Sequence, residues 1–337
     1  MIKEAILKLS KKANLNYEES KEVMNEIMSG KATAVQMSSY LTALSMKGET
    51  IEEITGSAAG MRANCIKLLH NMEVLEIVGT GGDNSNSFNI STASAIVIAA
   101  GGVAVAKHGN RAASSKCGAA DVLEELGINI NISPEKSREI LSKINICFLF
   151  AQNYHIAMKY VAPVRKELGI RTVFNILGPL SNPAGANIEL MGVYDESLIE
   201  PLAKVMQNLG VKRGMVVYGT DKIDEISMSS ETKVCEILDK ENLKSYTISP
   251  KDFGYDFCDK KELEGGSVKE NAEIIRNIFN LKDNGAKRKA VCMNAGAGFY
   301  IAKKVKNIKE GVQMAENLID EKKAFEKLED FIKESNS

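Results

Sequence analysis

Between residues 79 and 92 the chain reads GTGGDNSNSFNIST, three glycines and an aspartate followed by small polar residues. Glycine turns easily through positive φ and lets backbone amides approach a ligand, so consecutive amides of such a loop can form a nest for an anion. Asn89, Ser91 and Thr92 open the next helix and add hydroxyls, unpaired amides and the positive end of a helix dipole, which suits phosphate. A second polar stretch, KHGNRAASSKCGAAD, begins at Lys107. It offers the cations of Lys107, Arg111 and Lys116 and the directional groups of His108, Asn110, Ser114 and Ser115. A third stretch, YGTDKIDEIS, sets Asp224 beside Glu225. Alone, such a pair is more often a solvated turn, but beside phosphates it suits magnesium, which prefers carboxylates, phosphate oxygens and water.

Each stretch also has a plainer reading. The glycines could form a tight turn, and Asn89, Ser91 and Thr92 could simply cap a helix. A dinucleotide fingerprint is excluded because Asn84 stands where the third glycine is required and the next strand, VAVAKHG, ends without an acid. A Walker A loop is excluded because no GK[ST] follows.

These loops need a scaffold, and the hydrophobic periodicity supplies one. Up to about residue 72 the spacing is helical, with Ile2, Ala5, Ile6 and Leu9 and later Val35, Tyr40, Leu41 and Leu44 on shared faces. TIEE at Thr50 to Glu53 predicts a capping box and a helix running to His70. Short apolar runs then alternate with helices: VLEIV before Gly79, VAVA before Lys107, INI near 130, ICFLF near 148, IELMGVY near 190 and GMVVY near 216. This is the α/β pattern of a mainly parallel sheet. Ser133 before Pro134 marks another helix start. From Val161 the pattern turns helical, then irregular through GPLSNPAGA. The expected architecture is a small all-helical domain (1–71 and roughly 162–187) and a larger α/β domain (72–161 and 188–337), with a cleft between them.

Composition narrows the classes of partner. Among 337 residues, 43 basic against 44 acidic side chains give a net charge of -1, so no global charge favours nucleic acid or a membrane surface. The six cysteines are widely spaced without a CxxC pair, which predicts reduced thiols and a cytoplasmic protein. No apolar stretch approaches the ~20 residues of a membrane span, and no export signal is expected.

Taken in order, GTGGD, NIST, KHGNRAASS, VAPVRKELGIRTVFNILGPLSNPAG and the Asp224–Glu225 pair resemble the anthranilate phosphoribosyltransferase family over essentially the whole chain. The resemblance implies transfer of a phosphoribosyl group from 5-phosphoribosyl 1-pyrophosphate to anthranilate in tryptophan biosynthesis, with no covalent nucleophile. It implies that Gly79, Gly82, Asp83, Ser87, Asn89, Ile90, Ser91, Thr92, the run Lys107, His108, Gly109, Asn110, Arg111, Ala112, Ala113, Ser114 and Ser115, and Ala119 contact the donor. Anthranilate would meet Gly79, Asn110 and Arg165, with His108, His155 and Gly178 nearby. Ser91, Asp224 and Glu225 would hold two Mg2+ ions per subunit. A homodimer joined through the helical domains is expected, and association with anthranilate synthase is left open. The chain departs from the family pattern at Ser87, Cys117 and Ala119, where Thr, Ser and Ser are common. Ala119 has no hydroxyl, so only its backbone could serve the donor.

Two other functions compete. A pyrimidine nucleoside phosphorylase would share the two-domain fold, but its phosphate loop resembles KHSTGG and lacks the KHGN pattern. A transferase-like protein that binds nucleic acid without catalysis would show damaged glycine and carboxylate motifs on a basic surface.

Overall fold

The computed structural model describes residues 1–112 and 116–337; Ala113, Ser114 and Ser115, expected above at the donor, lie outside the described residues. Four helices come first: α1 (Ile2–Ser10), α2 (Tyr17–Met28), α3 (Ala34–Lys47) and α4 (Ile51–Ala63). The capping box is present, with Thr50 Oγ1 accepting from the Glu53 amide at 3.3 Å and Glu53 Oε2 accepting from the Thr50 amide at 2.7 Å. Glu53 is fully buried, pairs with Lys47 at 2.9 Å and accepts the Leu15 amide, so one carboxylate ties three parts of this bundle together. The helix does not reach His70. It ends at Ala63, where Asn64 Nδ2 donates to the Gly60 carbonyl, and the next backbone amides serve other segments, Ile66 to Tyr154 and Leu68 to Pro183.

The remaining chain builds β1 (Leu75–Gly79), α5 (Ile90–Ala100), β2 (Val105–Gly109), α6 (Ala119–Glu125), α7 (Pro134–Ile144), β3 (Ile146–Phe150), α8 (Ala151–Tyr154), α9 (Ala162–Leu168), α10 (Phe174–Leu177), β4 (Ile188–Gly192), α11 (Ile199–Asn208), β5 (Arg213–Gly219), β6 (Thr232–Ile237), β7 (Leu243–Ile248), α12 (Val268–Phe279), α13 (Ala286–Ile301), α14 (Ile308–Asp320) and α15 (Lys323–Ser335). The sheet order is β3-β2-β1-β4-β5-β6-β7. The first five strands are parallel and the last two antiparallel. Chain order reverses between β1 and β4, so the carboxyl ends of these neighbours are where an open α/β sheet forms its crevice.

INI near 130 is not a strand. Ile128 and Ile130 enter the main core, but the Asn129 amide donates to Ser335 Oγ at 3.0 Å, so the segment runs beside α15 instead of joining the sheet. One sheet face packs on α5 and α13, with α12, α14 and α15 joining the same core around them. On the other, residues of α1–α4, α9 and α10 share a second core with Met191, Val216 and α11. The stretch after Val161 therefore packs with the N-terminal bundle.

Candidate active site

The glycine loop leaves β1 at the switch point. Gly81 and Gly82 have φ of +68° and +75°, and Asn84 and Asn86 also lie in the left-handed region at +56° and +54°. The Gly81 amide donates to Asp224 Oδ2 at 2.7 Å, whereas among the described residues no protein acceptor takes the amides of Gly82, Asp83 or Asn84. Three unclaimed amides in succession on a left-turning backbone are the nest that the sequence suggested.

Gly79 has a different reason to be glycine. A Cβ there would stand 2.2 Å from Asp224 Oδ2, and one on its register partner Gly192 would stand 1.6 Å from the Asp224 carbonyl oxygen. The Asp224 loop rests directly on the ends of β1 and β4, which only bare backbone permits. Asn294 pins that loop from below. Fully buried on α13, it accepts the Ile226 amide at 3.0 Å and donates to the Ile226 carbonyl at 3.0 Å. Ser227, Ser229 and Ser230 all donate to Asp221 at the loop's other end. The sequence reading missed Gly192 and Asn294; a lone polar residue in the small-residue helix AVCMNAGAG was the available signal.

Asp224 and Glu225 are nearly buried. Burial and then the neighbouring Asp83 raise Asp224 to about 7, while burial and then Asp224 raise Glu225 to about 8. Glu225 accepts the Ser91 amide at 3.2 Å, and the Asp224 amide donates to Asp83 Oδ2 at 3.3 Å. The cation facing them is Lys107, itself buried, which donates to Ile77 O at 2.6 Å and to Ser91 Oγ at 3.2 Å and is pushed downward by desolvation. Among the described residues no three His, Cys, Asp or Glu side chains converge as a metal cage. Two carboxylates disfavoured as anions, beside a nest for phosphate, fit a divalent cation that takes its other ligands from a bound phosphate and water.

The start of α5 carries two more open valences. Among the described residues Asn89 makes no capping bond; its Nδ2 donates to Cys117 O at 3.2 Å and its buried Oδ1 finds no partner there. Thr92 Oγ1 is likewise buried and unpartnered. Orphaned polar atoms of this kind are costly unless a ligand or water completes them. Ile90 is buried core, while Ser87 and Lys116 line a small crevice with Gly265 and Gly266.

Other expected contacts lie differently. Arg111 turns to Asp121 and Glu124, and its guanidinium sits over Phe150. The Ala112 amide donates to Asp121 at 2.9 Å, Gly109 ends β2 against Phe148, and Ala119 opens α6. Asn110 is exposed and accepts the Arg111 amide at 2.8 Å.

Beyond β2 the chemistry changes. His108 and His155 are buried with rings 5.0 Å apart. Desolvation lowers His108 to about 3, with the Gly178 backbone opposing, and His155 to about 4, with the Ser181 backbone opposing. Among the described residues each ring leaves Nε2 buried without a partner. Both are neutral imidazoles presenting an acceptor. Arg165, on α9, lies over the Phe174 ring at 5.2 Å, and among the described residues no carboxylate pairs with it. A ligand carboxylate is the partner it lacks.

Comparison with known proteins identifies the family and the fold. The helical bundle domain of a glycosyl transferase family matches residues 3–65 and the a/b domain of that family matches residues 71–325. An anthranilate phosphoribosyltransferase of Methanobrevibacter smithii is 61% identical over 337 residues, covering 100% of both chains. The crystal structure of anthranilate phosphoribosyltransferase from Thermus thermophilus is similar with a TM-score of 0.94 at 41% identity, covering 99% of each chain. That from Saccharomyces cerevisiae in complex with PRPP and Mg has a TM-score of 0.91 at 29% identity, covering 99% of this chain and 98% of the other.

Proposed function

Because the chain belongs to the family of anthranilate phosphoribosyltransferases, we infer that its cleft transfers the phosphoribosyl group of 5-phosphoribosyl 1-pyrophosphate to the amine of anthranilate. The products are N-(5-phosphoribosyl)anthranilate, an intermediate of tryptophan biosynthesis, and pyrophosphate. The observation that carries this reading is the juxtaposition of unclaimed amides at Gly82, Asp83 and Asn84 with the raised carboxylates of Asp224 and Glu225.

Breaking the bond from ribose C1 to pyrophosphate builds positive charge on the sugar and negative charge on the leaving group, as in glycosidic cleavage. Amides preorganised in the loop stabilise that negative charge without reorganising. Ser91, Asp224 and Glu225 would hold magnesium, two ions per subunit, which when bound neutralises the leaving pyrophosphate. Lys107 lies under the same loops, its Nζ donating to Ile77 O and Ser91 Oγ, and the open valences of Asn89 and Thr92 receive donor oxygens at the start of α5. Ala113, Ser114 and Ser115, outside the described residues, are proposed donor contacts from the family pattern alone.

Anthranilate is held by Arg165 through its carboxylate, with Gly79 and Asn110 alongside. Its aromatic amine is neutral and attacks through its own lone pair, so positioning carries much of the rate. The Nε2 atoms of His108 and His155 can accept an amine hydrogen, but groups titrating at about 3 and about 4 are too weakly basic to retain that proton near neutrality. They orient the amine. The helical body (1–71 with 162–187) and the α/β body (72–161 with 188–337) form the two walls of the cleft. A homodimer joined through the helical bodies is supported by Leu7, Val35 and Met46, which that body leaves exposed, and a cytoplasmic location by the widely spaced cysteines without a CxxC pair. No helix among the described residues is long and apolar enough to cross a membrane.

The test is product identity. Incubation with anthranilate, the donor and magnesium should yield phosphoribosylanthranilate and pyrophosphate in equal amounts by mass spectrometry. Cleavage of a pyrimidine nucleoside by inorganic phosphate without that product would favour the phosphorylase reading.

A further inference from the structure

One side chain not assigned to either substrate crosses the cleft. Arg171 follows α9 in the segment that packs with the N-terminal bundle, and its carbonyl oxygen accepts from Ser45 Oγ of α3 at 2.9 Å. Its guanidinium reaches the other wall. There Nη2 donates to the Gly82 carbonyl at 2.6 Å while the group lies over the Tyr194 ring at 4.0 Å. Tyr194 is joined to the same loop, because its amide donates to Thr80 Oγ1 at 3.1 Å and the Thr80 amide donates to Gly192 O at 2.9 Å. Bundle, arginine, tyrosine and glycine loop form one connected circuit.

The contact at Gly82 has a geometric consequence. In a trans peptide the carbonyl and the following N–H point in opposite directions, and among the described residues no peptide is cis. Holding the Gly82 oxygen on the bundle side therefore aims the Asp83 amide the other way, away from the bundle. That amide is one of the three with no protein acceptor. With φ of +75° at Gly82, this peptide unit belongs to the most readily rotated part of the loop, where an external anchor matters most.

We propose that Arg171 is a positioning residue of the reaction: from the helical body it fixes the Gly82 peptide so that the Asp83 amide faces the pyrophosphate of the donor. The proposal rests on the donor reading of this loop. It makes donor affinity depend on how the helical body is seated, although Arg171 touches neither reacting atom. A planar guanidinium can stack on Tyr194 and donate to Gly82 at once, which an ammonium does less well.

Arg171→Ala and Arg171→Lys test it. Calorimetric titration with magnesium pyrophosphate should show affinity weakened about tenfold in the alanine variant, as for loss of one charge-assisted hydrogen bond, with partial recovery in the lysine variant. The donor KM should rise in parallel, while the anthranilate KM and Tm stay near wild type. Unchanged pyrophosphate affinity would overturn the proposal, as would equal rises in both KM values with a lowered Tm, which mark a purely structural arginine. The binding titration needs no turnover. A wild-type protein that binds magnesium pyrophosphate but does not consume anthranilate would therefore defeat the functional reading and leave the Arg171 measurement to support or overturn the proposal by itself.

Discussion

The two sides of the cleft solve recognition in opposite ways. On the proposed donor side the side chains are stripped away: Gly79 and Gly192 clear space for Asp224, Gly81 and Gly82 turn the backbone, and among the described residues three successive amides stay unclaimed by protein. Its carboxylates are disfavoured as anions and fit a cation. On the proposed acceptor side the side chains remain, with neutral His108 and His155 and an Arg165 that lacks a carboxylate partner among the described residues. A polyanion that arrives with metal suits the first design, and a small planar monoanion suits the second. On the proposed function, the difference teaches that countercharge on the donor side comes mainly with the bound metal and on the acceptor side from one arginine.

The largest predicted effect breaks the donor side alone. Replacing Asp224 and Glu225 with alanine should remove magnesium dependence and lower turnover on the order of a thousandfold or more, the scale of lost transition-state charge stabilisation. Anthranilate binding, followed by fluorescence, should survive. Arg165→Ala should do the converse. Loss of a two-point ion pair raises the anthranilate KM by about 10- to 100-fold, while the donor KM, read from the same steady-state kinetics, stays within about twofold.

A subtler division appears in the pH dependence of stability. Asp224 and Glu225 titrate at about 7 and about 8 when folded, above the ~4 of an unfolded carboxylate. Between those values the unfolded chain has lost protons that the native protein keeps, so these groups lower stability as pH rises. Magnesium should therefore raise Tm most near pH 8 and little near pH 5. The histidines have the opposite sign. Depressed to about 3 and about 4, they cost stability as pH falls through ~6.5, where unfolded imidazoles take up protons. Glu76 and Glu189, buried neighbours on β1 and β4 that burial raises to about 8, add a metal-independent slope of the first sign. An Asp224→Asn, Glu225→Gln protein should accordingly lose the magnesium response in a Tm series and retain part of the alkaline decline. The smallest effect is expected at Ala119→Ser. Restoring a hydroxyl at the start of α6 should change the donor KM by less than about threefold, the scale of one modest hydrogen bond; a larger gain would give that position a side-chain role.

Local signals carried much of this arrangement in the sequence. Thr50 and Glu53 announce their cap within four residues, and an apolar run ending in GTGGD locates the loop at a strand end, because both depend on neighbours in the chain. Long-range partnerships were illegible. Nothing around INI at 130 says that its backbone will pair with Ser335 instead of a strand, and nothing after Ala63 says that Ile66 and Leu68 will donate to Tyr154 and Pro183. β6 and β7 went unread because Lys233 and Glu236 interrupt the apolar run of the largely buried β6 and because β7 is partly exposed, so neither shows the continuous apolar run of the buried parallel strands. Gly192 looks like any strand glycine until Asp224 is placed over it. In the site, the proposed binding residues could be named from motifs, while the side chains that hold their loops, Asn294 and Arg171, became visible only through their contacts.

The most direct measurement is the decay of anthranilate fluorescence in the presence of the donor, with magnesium added or chelated. Decay that requires magnesium and ends at one product per anthranilate consumed is the predicted result. An undiminished rate in chelator would contradict the central claim that bare amides and cation-seeking carboxylates together form the donor site.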